Sequence, residues 1–193
     1  MAKKKIIFIT DGDNWARQTI EAAGKRLGLP TISASAGNPT PLPPAALRQE
    51  IKEAPGEPVL VMADDGGEPR KGHGERLLEA FLRDDGFAVL GVIAVAANTK
   101  KVAGVPVNFS ITREGRVHRG PVDKEGRPEP PGQKRLEGDT VDVLNGLQVP
   151  IVVGIGDIGK TSPLDRADEG ARITTRAIEE ILKYNGLMVG VQS

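Results

Sequence analysis

The chain has 193 residues, of which 38% are hydrophobic and 27% are charged, so it is long enough to bury the core of one ordinary domain. Its 26 basic and 26 acidic side chains cancel, and a neutral chain lacks the positive excess of a general nucleic-acid binder. It contains no cysteine, which excludes disulfides, thiolate catalysis and cysteine-ligated metal sites. The composition is therefore that of a globular protein and is compatible with a reducing compartment.

The first third of the chain alternates apolar runs with helical patterns. Residues 5–10 predict a first strand, because this run is too short for a signal sequence or a membrane span. Asp13 follows and is predicted to cap a helix with apolar residues at helical spacing. Residues 31–36 predict a short second strand and residues 59–63 a third, with a helix that begins near Pro44 between them.

The same alternation continues to the end of the chain. Residues 76–83 predict a helix, residues 87–96 and 150–154 predict buried strands, and a last helical pattern ends near Gly186. Strands that are apolar on both faces and alternate with helices indicate a three-layer, doubly wound α/β domain. We therefore expect one Rossmann-like domain over residues 1–186, with a mainly parallel sheet and a tail at residues 187–193.

One long segment breaks this pattern. Residues 107–139 contain a polar hairpin pattern, followed by a stretch rich in charge, glycine and proline. Such a stretch is incompatible with a helix or a central strand. We expect it to be a hairpin and loop insertion that lies outside the main layers and is mobile.

Acidic residues follow three of the predicted strands. They are Asp11 and Asp13, Asp64 and Asp65, and Asp157. The carboxyl ends of parallel strands share one edge of a sheet, and carboxylate oxygens are ligands that Mg²⁺ and Ca²⁺ prefer. This predicts a ligand or metal edge. The alternative is that these aspartates only form turns and helix caps.

A glycine-rich loop follows the last predicted strand. It has the sequence GIGDIGKT, which matches both the dinucleotide-binding and the P-loop patterns through Gly154, Gly156, Gly159, Lys160 and Thr161. Such a loop could bind an anion through its backbone N–H groups. However, Pro163 disfavours the helix that a P-loop requires, so a tight structural turn is the alternative.

Six short segments occur together in this order: ITDGD at residues 9–13, SAGNPT at 35–40, VMADD at 61–65, GHGE at 72–75, VLGVIAVA at 89–96 and GIGDIGK at 154–160. Together they resemble the stage V sporulation protein AE family, in the soluble type of the two that share this name. The resemblance extends from about residue 5 to residue 185. Each segment alone is a weak signal, whereas six in order are specific.

The resemblance implies a protein of spore-forming Firmicutes that is encoded with membrane proteins moving calcium dipicolinate into the developing spore and releasing it during germination. It implies a soluble, cytoplasmic-type protein, peripheral to the spore inner membrane, with the proteins of that dipicolinate channel complex as partners. It brings no catalytic residue to this chain. We therefore expect an accessory protein that acts by binding or interaction, with no cofactor, although Mg²⁺ or Ca²⁺ could bind at the acidic edge. The alternative is a divalent-metal-dependent enzyme acting on a phosphate-containing ligand.

Overall fold

The computed structural model describes residues 2–67, 72–98, 102–160 and 162–187. Its strands are β1 (Lys4–Ile9), β2 (Val59–Met62), β3 (Phe87–Val95), β4 (Phe109–Ile111), β5 (Val117–His118) and β6 (Val152–Ile155). They form one sheet in the order β2-β1-β3-β6-β4-β5. Every neighbouring pair is parallel except β4 and β5. The predicted mainly parallel sheet is confirmed.

Helices cover both faces of this sheet. They are α1 (Asn14–Leu27), α2 (Pro44–Glu53), α3 (His73–Leu82) and α4 (Arg172–Tyr184). Side chains of α1 and α4 pack with Ile7 and Ile9 of β1, whereas those of α2 and α3 pack with Ile6 and Phe8. Alternate residues of a strand point to opposite faces, so β1 is buried on both sides. The three-layer architecture is therefore as predicted.

The first helix begins and ends as its sequence indicates. Asp13 caps it, because its carboxylate accepts a hydrogen bond from the Ala16 N–H at 2.9 Å. Gly28 closes it with a left-handed backbone, φ 67°. This cap fixes Asp13 directly beyond the end of β1.

The predicted strand over residues 31–36 is wrong. Thr31 forms only an isolated parallel bridge with Leu60, and a 3₁₀ turn follows at Ser33–Ser35. The Ser35 hydroxyl donates to the Ile32 carbonyl at 2.6 Å and accepts from the Met62 N–H at 2.9 Å. A side chain thus replaces the backbone ladder at the edge of β2.

The insertion is more integrated than its composition predicts. Its hairpin does not lie outside the main layers, because β4 pairs with β6 and extends the sheet. Near the end of the insertion, Leu136 is fully buried and exchanges backbone hydrogen bonds of 2.8 and 2.9 Å with Val105, which precedes the insertion. The insertion packs against the rest of the domain because some of its apolar side chains, such as Val122 and Leu136, are buried in the core. The mobility of the remaining loop stays a prediction.

Two further predictions concern the chain as a whole. Among the described residues, no helix is long and apolar enough to cross a lipid bilayer. Of the predicted tail at 187–193, only Leu187 lies within the described residues, and its N–H donates to the Leu182 carbonyl at 2.9 Å.

Candidate functional site at the carboxyl edge of the sheet

A cleft opens where the strand order reverses. From β1 the chain passes to β2 on one side, and it then continues to β3 on the other side of β1. In doubly wound sheets, ligands bind beyond the carboxyl ends of the strands at this point. The cleft measures about 230 Å³, and we call it the carboxyl-edge cleft. Its charged lining residues are Asp11, Asp13, Asp64, Asp139, Asp157, Lys124 and Lys160.

Asp11 lies on the wall of the cleft, just beyond the end of β1. Its Oδ1 accepts a hydrogen bond from the Asp13 N–H at 3.3 Å. Burial is the main cause that raises the pKa of Asp11 from 3.8 to about 7, and the negative charges of Asp13, Asp64 and Asp157 add to it. Near neutral pH this carboxyl group therefore exists in both protonation states.

Lys160 joins two loops across the mouth of the cleft. Its ammonium contacts Asp13 Oδ2 and lies 3.3 Å from Asp157 Oδ1. Burial tends to lower the pKa of Lys160, but the contacts with Asp13 and Asp157 outweigh burial and raise it. Conversely, burial tends to raise the pKa of Asp13, and the hydrogen bonds from Lys160 and the Ala16 N–H outweigh it and lower the pKa. Both groups are therefore charged at neutral pH.

Asp64 lines the cleft and also holds neighbouring loops together. Its carboxylate accepts hydrogen bonds from the N–H groups of Gly12 at 3.1 Å and Gly66 at 2.7 Å. Burial raises the pKa of Asp64, although these two N–H donors oppose the change. The ends of β1 and β2 are thus fixed relative to each other by one side chain.

Asp65 is not among the residues that line the carboxyl-edge cleft. Its carboxylate accepts a hydrogen bond from the Glu75 N–H at 3.1 Å, in the first turn of α3. A Cβ at Gly72 would lie 2.5 Å from Asp65 Cγ, so a glycine is needed for this approach. Asp65 therefore caps α3. This is the helix-cap role predicted from the sequence as the alternative to a ligand or metal site.

Three of the predicted acidic residues meet closely enough to share a cation. One carboxylate oxygen each from Asp11, Asp13 and Asp157 lies within 4.8 Å of the other two. Oxygen ligands about 2.3–2.6 Å from one ion are spaced this way, and carboxylates are the usual protein ligands of Ca²⁺ and Mg²⁺. The geometry thus allows a divalent cation at this point.

The glycine loop is built for close packing. Gly154 lies within β6, where a Cβ would be 2.4 Å from the Ser110 hydroxyl. A Cβ at Gly156 would lie 2.6 Å from the backbone nitrogen of Gly126 in the insertion. Gly159 has a left-handed backbone, φ 73°, and faces Thr19 of α1. Each glycine therefore has a structural reason.

Backbone N–H groups of this loop donate within the chain. The N–H of Asp157 donates to the Lys124 carbonyl at 2.9 Å, and that of Lys160 donates to the Asp157 carbonyl at 3.4 Å. The Gly159 N–H donates to Asp165 Oδ2 at 3.4 Å. A phosphate cradle uses such groups as donors to its ligand. Moreover, a 3₁₀ turn follows at Pro163–Asp165, and α4 begins only at Arg172. Thr161 lies outside the described residues.

Sequence patterns missed two charged residues of the cleft and one residue beneath it. Lys124 and Asp139 come from the irregular insertion, where no periodicity indicates which side chains face the sheet. Asp165 is buried under the glycine loop and accepts hydrogen bonds from the Thr174 N–H at 2.7 Å and hydroxyl at 3.0 Å. Burial raises its pKa, against these hydrogen bonds. A single aspartate at the end of a 3₁₀ turn carries no sequence signal of this role.

Comparison with known proteins identifies the family. The family model described as stage V sporulation protein AE1 matches residues 5–185 of the 193-residue chain. No curated protein and no solved structure matches the chain significantly, so the Rossmann-like description of its fold stays a prediction. Within the described residues, the match covers every strand and helix except Lys4 of β1, and it includes every charged residue of the carboxyl-edge cleft. The chain therefore belongs to the stage V sporulation protein AE1 family, which has a role in sporulation.

Proposed function

We propose that this protein is an accessory component of the spore inner-membrane complex that moves calcium dipicolinate, and that it binds this cargo in the carboxyl-edge cleft. The family membership supports the sporulation role. The observation that carries the ligand assignment is the mixed charge of the cleft, where five aspartates and two lysines surround about 230 Å³.

Both signs of charge are needed to hold a calcium chelate of a dicarboxylate. Calcium retains open coordination positions in such a chelate, and Asp11 and Asp157 can offer carboxylate oxygens to it. The outward carboxylate oxygens of the dicarboxylate attract ammonium groups, and Lys124 and Lys160 both reach the cleft. A cleft with only acidic residues would repel the dicarboxylate, whereas this cleft can attract both parts.

Partner binding is the second part of the proposal. Trp15, which is 55% exposed, lies in the first turn of α1. It lies beside the glycine loop, because a Cβ at Gly159 would be 3.7 Å from the Trp15 Cβ. Exposed tryptophans are enriched at the centres of protein interfaces. We assign this surface to a membrane protein of the complex, with peripheral association at the spore inner membrane.

Calorimetric titration tests the ligand assignment. We expect the full chain to bind calcium dipicolinate more tightly than dipicolinate alone, because the chelate satisfies the aspartates as well as the lysines. Lys124→Ala should weaken chelate binding at least fivefold. Lys134→Ala is the matched control, since Lys134 is exposed in the same insertion and does not line the cleft. Absence of chelate binding, or an equal loss in both variants, would contradict the assignment.

A phosphate-directed enzyme is not proposed. Its phosphate site would be the glycine loop, and the N–H groups of Asp157, Gly159 and Lys160 donate to protein oxygens. The enzyme alternative also requires a divalent metal site. The aspartates that would form it are the same ones that the binding function uses, and binding a metal does not by itself imply a reaction.

A further inference from the structure

The three carboxylates of Asp11, Asp13 and Asp157 come together from two distant loops. Asp11 and Asp13 follow β1, and Asp157 follows β6. Their nearest oxygens lie within 4.8 Å of one another, on the wall of the carboxyl-edge cleft. When ionised, carboxylates held this close repel, so their joint ionisation needs a positive charge between them.

Asp11 shows that this need is only partly met. Its side chain is buried, and its Oδ1 receives a long hydrogen bond of 3.3 Å from the Asp13 N–H. Within the described part of the chain, no group donates to its Oδ2 and no cation forms an ion pair with it. An oxygen of a buried carboxylate that opens on a polar cleft, without a donor among the described residues, is a position for a ligand.

Lys160 supplies positive charge to the other two carboxylates. Its ammonium bridges Asp13 and Asp157, whereas Lys124 is more distant, at 3.7 Å from Asp157 Oδ2. An ammonium is a single point charge, and it replaces only part of what a divalent ion would supply. The Lys160 side chain is 37% exposed, so it has room to turn outward into solvent.

We propose that a divalent cation binds Asp11, Asp13 and Asp157 by displacing the ammonium of Lys160. Lys160 is then an internal competitor that occupies the site between binding events and sets its affinity for the cation. When the cation leaves, the ammonium returns and prevents the two loops from repelling each other. The inference rests on the proposed function, because it concerns how calcium enters and leaves the same cleft.

Removal of the competing charge tests this directly. Calcium chloride alone is titrated into the full chain by calorimetry at pH 8. Lys160→Met should bind Ca²⁺ at least tenfold more tightly than the unmodified protein, whereas Lys134→Met should leave binding unchanged. Asp11→Asn should weaken Ca²⁺ binding at least tenfold. Unchanged or weaker binding in a folded Lys160→Met variant would overturn the proposal.

Two further measurements keep the test decisive. Lys160→Gln retains a polar side chain without the charge, and it should also tighten Ca²⁺ binding if Lys160→Met does not fold. In the unmodified protein, Ca²⁺ should increase the labelling of Lys160 by an amine-reactive reagent, read by mass spectrometry. Unchanged labelling at saturating Ca²⁺ would also overturn displacement.

The outcomes separate this inference from the function on which it rests. Chelate binding together with unchanged Ca²⁺ affinity in Lys160→Met would remove the competitor role and leave the binding function. Failure of the unmodified protein and of all variants to bind Ca²⁺, dipicolinate or the chelate would remove both.

Discussion

At the scale of single residues, the fold gives chemically identical aspartates different roles. Asp13 is charged and caps α1, Asp65 caps α3, and Asp64 ties two loops together. Asp11 remains as a buried carboxylate among like charges, and its pKa rises to about 7. The sequence predicted that aspartates follow the strands. It did not predict that Asp64 and Asp65 have different roles, which they do because successive side chains point in different directions.

Asp11 should make the stability of the protein depend on pH. Its pKa is 3.8 when unfolded and about 7 when folded, so the folded state holds the proton more tightly. The stability that Asp11 contributes is fully present below about pH 4 and is lost as the pH rises through 7. The Asn side chain of Asp11→Asn does not titrate, so this variant does not lose that stability. The difference in the free energy of unfolding between the variant and the unmodified protein should therefore grow, in favour of the variant, between pH 4 and pH 8.

Urea denaturation at several pH values measures this difference. A shift of one pKa unit corresponds to about 1.4 kcal/mol, so we expect Asp11→Asn to be more stable than the unmodified protein by about 1–4 kcal/mol at pH 8. Asp85→Asn, at an exposed surface position, is the control and should leave the free energy of unfolding nearly unchanged. Parallel pH profiles for Asp11→Asn and the unmodified protein would show that Asp11 is not the titrating group.

Gly156 should not tolerate a side chain. An added Cβ would lie 2.6 Å from the Gly126 nitrogen and 2.8 Å from the Lys124 carbonyl oxygen. The cause is close approach of the insertion, since Gly156 is not among the glycines with a positive φ. Gly156→Ala should lower the free energy of unfolding by about 1–3 kcal/mol. Gly132→Ala, where a Cβ meets nothing within 4 Å, is the control, and equal stabilities for the two would refute this account.

At the scale of elements, apolar runs were sufficient to predict β1, β2, β3 and β6, because each is buried on both faces. The edges of the sheet were less predictable. Residues 31–36 fail as a strand since Ser35 takes over the hydrogen bonds of a ladder. The α4 N-terminus was also beyond prediction, because it has no side-chain cap at Ala171 and instead uses Asp165, outside the helix.

Asp165 should therefore control the stability of α4. Its buried carboxylate accepts hydrogen bonds from both the N–H and the hydroxyl of Thr174. Asp165→Ala leaves these donors without a partner and should lower the free energy of unfolding by about 1–3 kcal/mol in thermal or urea denaturation. Asp168→Ala, at an exposed position in the same segment, should lower the free energy of unfolding much less. A similar cost for both variants would exclude the capping role.

At the scale of the whole molecule, the sheet joins segments that are far apart in sequence. The cleft combines residues that follow β1, β2 and β6 with Lys124 and Asp139 of the insertion. The strand order explains the first group and was predictable, since the carboxyl ends of parallel strands share an edge. The insertion is held beside the cleft by close contacts such as that between Gly126 and Gly156. The spacing of its residues does not indicate that it packs there.

An NMR titration of the ¹⁵N-labelled full chain with calcium dipicolinate measures whether this ligand binds in the carboxyl-edge cleft. We predict that the amide signals of Gly12, Asp13, Lys124 and Asp157 shift together with added chelate and reach saturation. Signals of the opposite edge, such as those of Asp85 and Gly86 before β3, should not move. Saturable shifts confined to residues outside the carboxyl-edge cleft, or no shifts at all, would show that calcium dipicolinate does not bind there.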